Sequence, residues 1–446
     1  MSQVFLFLEK CNFSPSQSPI MRILVENSGY HLRNMGDLAM LQVAIDRLQK
    51  FWPDALIQVF TKSPERLIEY CPNTLPLSAS GRKSWLSPLI NTNKYVPSQR
   101  FTKQWTNVES KFKNSFPLLA SSFLKFKVKN KPNLVKDIEE FIDAVSNADL
   151  VVASGGGYIT STFKPTAIGA LETLGLAIRL GKPTVMFGHG LGPINDDELL
   201  NITKKVLPAV NLITLREKRA GIPLLKSLNV SSERVITTGD DAVELAYQAR
   251  SAVMGNAIGV NLRVAKYSNV DQSVVKVVRS SLHDAAKNHD AALLPVPIDH
   301  LFLEGYVEPD SVTIQKLLEG YDDTSDGGKS LDTPLMVIKQ VGLCRVVVTG
   351  SYHAGVFALS QGIPVIGLAK SMYYVDKFSG LADQFGVGCE VILLDDPQLK
   401  TKLVASINKA WESSENLRPQ LLETARKQVD LGLAAYQRMY EMVTSW

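Results

Sequence analysis

A histidine stands where a predicted strand ends and a predicted helix begins, in the segment VVVTGSYHAGVFALS at residues 346–360. His353 follows a run of valines and the pair Thr349-Gly350, and an apolar stretch with helical spacing comes after it. An imidazole in the first turn of a helix can act as a general acid or base, or donate to a phosphate oxygen. We therefore expect His353 to be catalytic; the alternative is that it only caps or packs the helix.

Charged side chains follow three other predicted strands. Arg216 comes after NLITL, Arg263 after IGVNL and Asp240 after VITTG. Because the carboxyl ends of parallel strands share one edge of a sheet, these side chains are expected to lie near His353. A guanidinium beside a helix N-terminus suits an anionic substrate, although either arginine could instead pair with a carboxylate elsewhere. Asp240 could simply orient the segment after it.

Further polar and glycine residues belong to the same predicted edge. They are Asn34, Gly36 and Asp37 after the first strand, Gly155, Gly156 and Gly157 after DLVVAS, His189 after PTVMFG, Ser351 and Tyr352 before the catalytic candidate, and Lys370 and Lys377 after PVIGLA. A triple glycine lets backbone N–H groups face an anion, or it allows close helix packing and nothing more. Asp37 could be a helix N-cap, His189 could be structural, and the two lysines could be solvated.

Strands and helices alternate along the chain, which predicts an α/β fold with mostly parallel sheets. The predicted parts are a loose leader at 1–20, an N-terminal domain at 21–245 with an irregular insertion at 73–133, a connection at 242–256, a C-terminal domain at 257–414 and a final helix at 415–446 that packs across both domains. The insertion either lines an acceptor site or packs as a flap.

Two segments repeat one plan. DLVVASGGG, continuing to LGLAIRLGKPTVMFG, and CRVVVTGSYHAGVFALSQGIPVIGLA each read as a strand, a small-residue turn, a helix, Gly-x-Pro and a second buried strand. Two halves built on the same unit predict two Rossmann-like domains that face each other across a cleft.

Composition excludes several classes of protein. The 446 residues are 45% apolar and 21% charged, which is typical of a soluble globular protein of two domains. The net charge of +4 suits an anionic small ligand, but the basic residues are not striped as nucleic-acid binding needs. The four cysteines lack metal-binding spacing and fit the cytoplasm, and no apolar run is long enough to span a membrane. HExxH, P-loop, GxSxG and GxGxxG motifs are all missing.

The chain resembles the polysaccharide pyruvyl transferase family. The segments that carry the resemblance are NMGDLAML, VVASGGGYIT, VMFGHGLGPI, LITLREKRA, TTGDDAVEL, GVNLR and SYHAGVFALSQGIPVIGL, in the family's order. The resemblance implies a GT-B-like pair of domains and transfer of a pyruvyl group from phosphoenolpyruvate to two hydroxyls of a sugar, as a ketal. It implies that His353 is the acid/base, that Arg263 clamps an anion, that Lys377 matches a family lysine and that the glycine loop with Asn34 and Asp37 lines the cleft.

One departure from the family pattern concerns the donor. The family usually has Arg-Leu-His, whereas this chain has Ser351-Tyr352-His353. The arginine that would hold the anionic groups of the donor is absent, and Lys370 is a candidate to replace it. A buried site that lacks one charge-assisted hydrogen bond is weakened by about 1.5–3 kcal/mol, so compensation is expected.

Two other functions stay open at the level of sequence. One is a GT-B glycosyltransferase that binds the diphosphate of a nucleotide sugar at the turn formed by Tyr352 and His353. The other is a carbohydrate-binding relative without catalysis. In each case we expect a small donor and a sugar or glycan acceptor, no metal and no other cofactor, and peripheral membrane association if the acceptor is lipid-linked. The oligomeric state has no signature in the sequence.

Overall fold

The computed structural model of the chain describes residues 20–87, 89, 108–109, 112–113, 115–264, 268, 270–302 and 308–446. The predicted leader at 1–20 and the middle of the predicted insertion at 73–133 therefore lie largely outside the described residues.

Eight strands of the described chain form the first sheet. They are β1 (Arg22–Glu26), β2 (Leu56–Thr61), β3 (Thr74–Ser78), β4 (Leu150–Ala153), β5 (Gly156–Ile159), β6 (Thr184–Leu191), β7 (Leu212–Leu215) and β8 (Val235–Thr237). Their order is β3-β2-β1-β4-β6-β7-β8, with β5 paired to β6, and every pair is parallel. All carboxyl ends consequently meet at one edge.

Five strands form the second sheet. They are β9 (Ala257–Asn261), β10 (Ala292–Pro295), β11 (Cys344–Thr349), β12 (Val365–Ala369) and β13 (Cys389–Leu393). The order is β10-β9-β11-β12-β13 and all pairs are again parallel. The α/β architecture with two parallel sheets, predicted from the alternation of elements, is confirmed. We call the part that carries the first sheet the N-lobe and the part that carries the second the C-lobe.

Helices cover the faces of both sheets. They are α1 (Met35–Phe51), α2 (Pro64–Tyr70), α3 (Ala79–Leu86), α4 (Pro117–Lys127), α5 (Pro132–Ser146), α6 (Lys164–Arg179), α7 (Asp197–Val206), α8 (Gly221–Ser227), α9 (Ala242–Gln248), α10 (Gln272–His289), α11 (Asp310–Leu318), α12 (Pro334–Val341), α13 (Tyr352–Ser360), α14 (Met372–Phe385) and α15 (Leu399–Thr444). Short 3₁₀ turns lie at Ser161–Phe163, Leu207–Ala209 and Ser232–Arg234. Coverage on both faces explains why the strands are continuous apolar runs rather than alternating ones.

Three clusters of buried apolar side chains stabilise the fold. One lies in the N-lobe and contains Phe141 and Leu171, and another lies in the C-lobe and contains Leu282. The third is shared, because Leu41 of α1 and Phe357 of α13 belong to the same cluster. The two lobes therefore share one apolar core. The carboxyl ends of their strands lie elsewhere and are free to form a cavity.

The last helix joins the lobes. Leu403 of α15 packs in the cluster of the C-lobe, whereas Tyr436 packs in the shared cluster. The Tyr436 ring stacks on Phe187 with centroids 3.7 Å apart. Arg47 of α1 lies 4.9 Å from the same ring and pairs with Asp241 at 3.0 Å, within the core.

Several element boundaries differ from those expected. The single strand expected at 149–157 is two strands, because the chain turns at Gly156 with φ +156°, a conformation that favours glycine. The helix expected from 415 begins at Leu399 and runs through Pro419. The connection at 242–256 contains α9, and the described part of the insertion contains β3, α3 and α4.

Candidate active site

A cavity of about 340 Å³ opens between the carboxyl ends of the two sheets. Its lining from the N-lobe includes Ser28, Tyr30, His31, Arg33, Asn34, Asp37, Lys62, Gly157, Tyr158, Phe163, Thr166 and Arg216, and from the C-lobe Arg263, Asp299, Ser351, Tyr352, His353, Tyr373, Tyr374 and Lys377. The volume is that of a small-molecule site. Nine residues predicted from the sequence line it: Asn34, Asp37, Gly157, Arg216, Arg263, Ser351, Tyr352, His353 and Lys377.

His353 is placed by β11 and by the first turn of α13, as its position in the sequence predicts. The side chain is buried, and Gly36 of α1 lies directly against the ring. A Cβ atom at Gly36 would be 1.9 Å from Cγ and 2.1 Å from Nδ1 of the imidazole. The glycine in NMGD is thus required by close approach of the ring from the opposite lobe.

The buried Nε2 of His353 faces a carboxylate. It lies 3.6 Å from Oδ2 of Asp240, which ends the loop after β8 in the N-lobe. Burial alone would raise the pKa of Asp240, but His353, Arg216 and the backbone N–H of Ala242 together lower it. The carboxylate therefore stays ionised beside Nε2, which is buried and has no hydrogen-bond partner among the described residues.

Arg216 brings a buried cation to the same place. Its guanidinium lies 4.1 Å from the centroid of the Tyr352 ring and 3.3 Å from Oδ2 of Asp240. It also lies against two glycines, since a Cβ at Gly157 would meet NH2 at 2.5 Å and a Cβ at Gly190 would meet Nε at 2.8 Å. Gly157, the third glycine of GGG, is therefore needed because a side chain there would collide with the Arg216 guanidinium. The absence of a side chain also exposes the backbone at this position.

Lys377 reaches the cavity from α14. Its ammonium nitrogen lies 4.1 Å from the Tyr373 ring, and a Cβ at Gly157 would meet that nitrogen at 3.3 Å. Burial, with Arg216 close by, holds the pKa of Lys377 well below its usual value, although Asp37 and Asp240 act in the opposite direction. An anion that entered the cavity would favour the protonated amine.

Arg263 is held by two carboxylates of its own lobe. NH2 pairs with Asp299 at 2.7 Å and NH1 with Asp310 at 2.8 Å. The other oxygen of Asp310 accepts from Asn261 at 2.9 Å and from Ser351 Oγ at 3.4 Å. The guanidinium thus organises the edge of the second sheet, and its charge is already balanced within the protein.

The two lobes are hydrogen-bonded beside the cavity. The N–H of Met35 donates to the carbonyl of Ile298 at 2.7 Å, and the N–H of His300 donates to the carbonyl of Arg33 at 2.9 Å. Asn34 lies between these bonds and caps α1, because its side chain accepts from the N–H groups of Gly36 and Asp37. The N-cap of α1 is therefore Asn34, not Asp37, and the Asp37 carboxylate lines the cavity instead.

The other predicted residues lie outside the cavity lining. Asp240 is directly behind His353, and Gly36 is under the ring. Gly155 and Gly156 turn the chain between β4 and β5. Lys370 pairs with Asp271 at 3.0 Å on the surface, so the cation predicted to replace the missing arginine points elsewhere.

His189 is also outside the cavity lining. It is fully buried, and its Nε2 lies 3.2 Å from the carbonyl of Ala153. The ring meets Tyr158 edge-on, with centroids 5.2 Å apart. Burial lowers the pKa of His189 to about 4, so the ring is neutral at physiological pH. This geometry matches the structural alternative, with His189 joining β4 to β6.

Several lining residues were not identified from the sequence. Tyr30 and Lys62 follow β1 and β2 in loops, and Tyr373 and Tyr374 begin α14. Their position just past strands at the sheet edge was the available signal. Tyr30 donates to Glu26, which is buried and also paired with Arg82 at 2.5 Å.

Solved structures resemble this fold across almost the whole chain. A UDP-GlcNAc 2-epimerase of Methanocaldococcus jannaschii matches 96% of this chain and 99% of its own, with 12% identity and a TM-score of 0.51. A UDP-glucosyltransferase of Polygonum tinctorium matches 97% and 100%, with 11% identity and a TM-score of 0.52. A UDP-glucose:anthocyanidin 3-O-glucosyltransferase matches 96% and 100%, with 12% identity and a TM-score of 0.53. At these identities the likeness shows a GT-B-like fold and nothing about chemistry.

Sequence comparison is more specific. The amylovoran biosynthesis protein AmsJ of Erwinia amylovora is 26% identical over 105 residues, which span 24% of this chain and about a quarter of that protein. The sequence model of the polysaccharide pyruvyl transferases matches residues 34–371, well over half of the chain. The match begins at Asn34, the cap of α1, and ends just after β12. It includes Arg216, Arg263 and His353 of the cavity but not Lys377. This chain belongs to the polysaccharide pyruvyl transferase family.

Proposed function

We propose that the protein transfers a pyruvyl group from phosphoenolpyruvate to two hydroxyls of one sugar in a glycan or glycan precursor, as a ketal, in the cytoplasm. The observation that carries this proposal is the placement of His353, between a buried carboxylate and a cavity that Arg216 and Lys377 also line. The three described cysteines are unpaired, which suits a reducing compartment.

The reaction needs one proton at carbon and loss of one phosphate. A sugar hydroxyl adds to C2 of the donor while Nδ1 of His353 delivers a proton to C3, which becomes a methyl group. The C2–O bond to phosphate then breaks, and the second hydroxyl forms the second C–O bond. One hydroxyl proton returns the ring of His353 to its protonated form and the other leaves on phosphate, so no oxidant or further reactant is needed.

Asp240 and Asp37 are assigned different parts in the proton transfers. Asp240 is buried and ionised, and it stabilises the protonated imidazole before the proton is delivered. Asp37 lines the cavity from α1 and is assigned to accept a hydroxyl proton from the acceptor and to pass it to the departing phosphate.

Arg216 and Lys377 are assigned to the phosphate and carboxylate of the donor. The family arginine is replaced by Ser351, and Lys370 is engaged elsewhere. Arg216 enters from the N-lobe and covers the ring of Tyr352, so a cation lies beside the family position without being encoded there. Arg263 is assigned to positioning, because Asp299 and Asp310 neutralise it.

Thermal shift with defined donors tests the proposal. Phosphoenolpyruvate should raise the melting temperature, whereas UDP- and GDP-sugars should not. His353→Ala should retain this shift and lose release of phosphate in the presence of an acceptor glycan, while Lys370→Ala serves as the matched control with unchanged turnover.

Three outcomes would contradict the proposal. Protection by a nucleotide sugar alone would favour the glycosyltransferase. Binding of a glycan without turnover of any donor would favour a carbohydrate-binding relative. Full activity of His353→Ala would refute the assignment of the histidine. The expectations that no metal or other cofactor is required stay predictions.

A further inference from the structure

Helix α4 is apolar on the side that faces solvent as well as on the side that faces the protein. Ala120 and Leu124 are buried against the N-lobe. On the opposite side, Leu118, Leu119, Phe123 and Phe126 are 58%, 62%, 46% and 67% exposed. Counted from Leu118, the other three lie one, five and eight residues further on, which places all four on one face of the helix.

Further exposed apolar side chains come before the helix, and the Phe112 and Phe116 rings lie 6.0 Å apart. Phe116 is 54% exposed, Phe112 39% and Val108 55%. Single exposed apolar residues are ordinary, but a contiguous patch with four phenylalanines marks an interaction surface. We call the residues Val108, Phe112, Phe116, Leu118, Leu119, Phe123 and Phe126 the α4 patch. No other part of the described chain covers it.

Lysines border the α4 patch at one end. Lys125, Lys127, Lys129 and Lys131 follow one another at every second residue, and 112–131 contains no Asp or Glu. The Lys129 ammonium lies 4.7 Å from the Phe126 ring, so charge and apolar surface are in direct contact. An anionic surface with an apolar interior matches both features together.

The lysine end of the patch lies on the same side of the N-lobe as the cavity. Helix α5 leads into β4, so it runs back from the carboxyl edge of the parallel sheet towards the start of the strand. The turn 128–131, which joins α4 to α5, is therefore at the carboxyl edge. The cavity opens at this same edge.

We propose that the α4 patch docks the protein on an anionic phospholipid bilayer, with the phenylalanines in the acyl boundary and the lysines at the headgroups. No helix in the described part of the chain has the length and hydrophobicity to cross a bilayer, so the contact is peripheral. A second copy of this chain is a poorer occupant, because residues 112–131 of that copy present lysines and no carboxylate to pair with them. If the proposed function holds, the surface suits a lipid-linked acceptor; the docking itself does not depend on that chemistry.

Sedimentation of the full chain with vesicles tests the docking. The wild type should bind vesicles of phosphatidylcholine and phosphatidylglycerol and bind vesicles of phosphatidylcholine alone weakly. Neutralisation by Lys127→Gln, Lys129→Gln and Lys131→Gln should weaken partitioning by about a hundredfold, since each lysine near an anionic surface contributes roughly fivefold. The double variant Phe123→Ser, Phe126→Ser should lose binding in both lipid mixtures.

A matched control uses exposed leucines on another helix. Leu431 and Leu433 of α15 are 47% and 39% exposed, and Leu431→Ser with Leu433→Ser should leave vesicle binding unchanged. All these positions are exposed, so melting temperatures should stay close to that of the wild type. A fall in the melting temperature of the phenylalanine variant would show that another part of the chain covers the patch, and would overturn the proposal.

Two further results would overturn it. Wild type that remains in the supernatant with anionic vesicles would exclude the bilayer as the partner. Wild type that is dimeric in solution, with Phe123→Ser, Phe126→Ser monomeric, would assign the patch to a second copy. Phosphate release in solution reports on the proposed function separately, so failure of one proposal is distinguishable from failure of the other.

Discussion

The substitution Gly36→Ala offers a sharp test of the cavity, because it changes one methyl group at a residue outside the lining. The new Cβ would lie 1.9 Å from Cγ and 2.4 Å from Cβ of His353. Carbon atoms in contact are about 3.5 Å apart, so the imidazole must retreat by about 1.5 Å. Such a displacement takes Nδ1 out of its observed position and changes the approach of Nε2 to Asp240.

The expected loss is large in activity and moderate in stability. A misplacement of about 1 Å at a reacting group costs on the order of a hundredfold in rate, so kcat/KM should fall at least that far. Overpacking costs about 1–3 kcal/mol, against which alanine in a helix gains up to about 1 kcal/mol over glycine. The protein should therefore fold with a modestly lowered melting temperature. Phosphate release from phosphoenolpyruvate with an acceptor glycan measures the rate.

Gly175→Ala is the matched control. Gly175 lies in α6, where the nearest atoms to a new Cβ are 3.2 Å away, in the Arg179 and Val206 side chains. This variant should keep wild-type kinetics. If Gly36→Ala turned over as fast as Gly175→Ala, the ring of His353 would not need its observed position, and the reasoning about the site would be wrong.

Three more predictions concern other parts of the structure. The pKa of His189 is about 4 in the folded state and about 6.5 when unfolded. Between these pH values the unfolded chain binds one more proton than the folded chain. Acid therefore lowers the free energy of unfolding, by on the order of 3 kcal/mol at pH 4. Urea unfolding at pH 7 and pH 5 should show a smaller difference in His189→Gln than in the wild type, and an equal difference would contradict the assignment. Lys377→Met should weaken binding of phosphoenolpyruvate in calorimetry. Lys370→Ala should not, because Lys370 is engaged in an exposed ion pair with Asp271 that contributes at most about 1 kcal/mol to stability. The reverse ranking of the two variants would make Lys370 the cation that binds the donor. Arg47→Met removes the cation that two buried carboxylates share and should lower the free energy of unfolding by about 3–5 kcal/mol, a loss that urea titration measures and that an unchanged midpoint would refute.

The fold was predictable because parallel strands place their carboxyl ends together. A chain that alternates buried strands and helices must bring the residues after NLITL, VITTG and VVVTG to common edges, and Arg216, Asp240 and His353 do lie together. The family motifs pointed to the same place. Tyr30 also follows a strand, but several loop residues separate it from the end of β1, so the strand-end rule alone did not identify it.

Partners distant in sequence decided the roles that the sequence left open. Arg216 and Arg263 both end strands, but only the second meets two carboxylates of the segment 298–310. Lys370 and Lys377 both follow β12, and the start of α14 at Met372 turns the second towards the cavity. The final helix begins well before its predicted start, and although Pro419 removes a hydrogen bond inside it, packing on both lobes keeps α15 continuous.

Asp240 and Asp241 are consecutive, and they face opposite ways. The first touches His353, whereas the second holds Arg47 and lies 3.4 Å from the hydroxyl of Tyr436 near the end of the chain. Deleting the last turns of α15 would remove Tyr436 and leave every residue that lines the cavity in place. The loop that carries Asp240 and Asp241 would nevertheless lose a contact that positions it behind His353. If a variant that is shortened or tagged after Tyr436 is inactive, its activity should therefore be compared with that of the unmodified chain before the substrate is judged to be the wrong one.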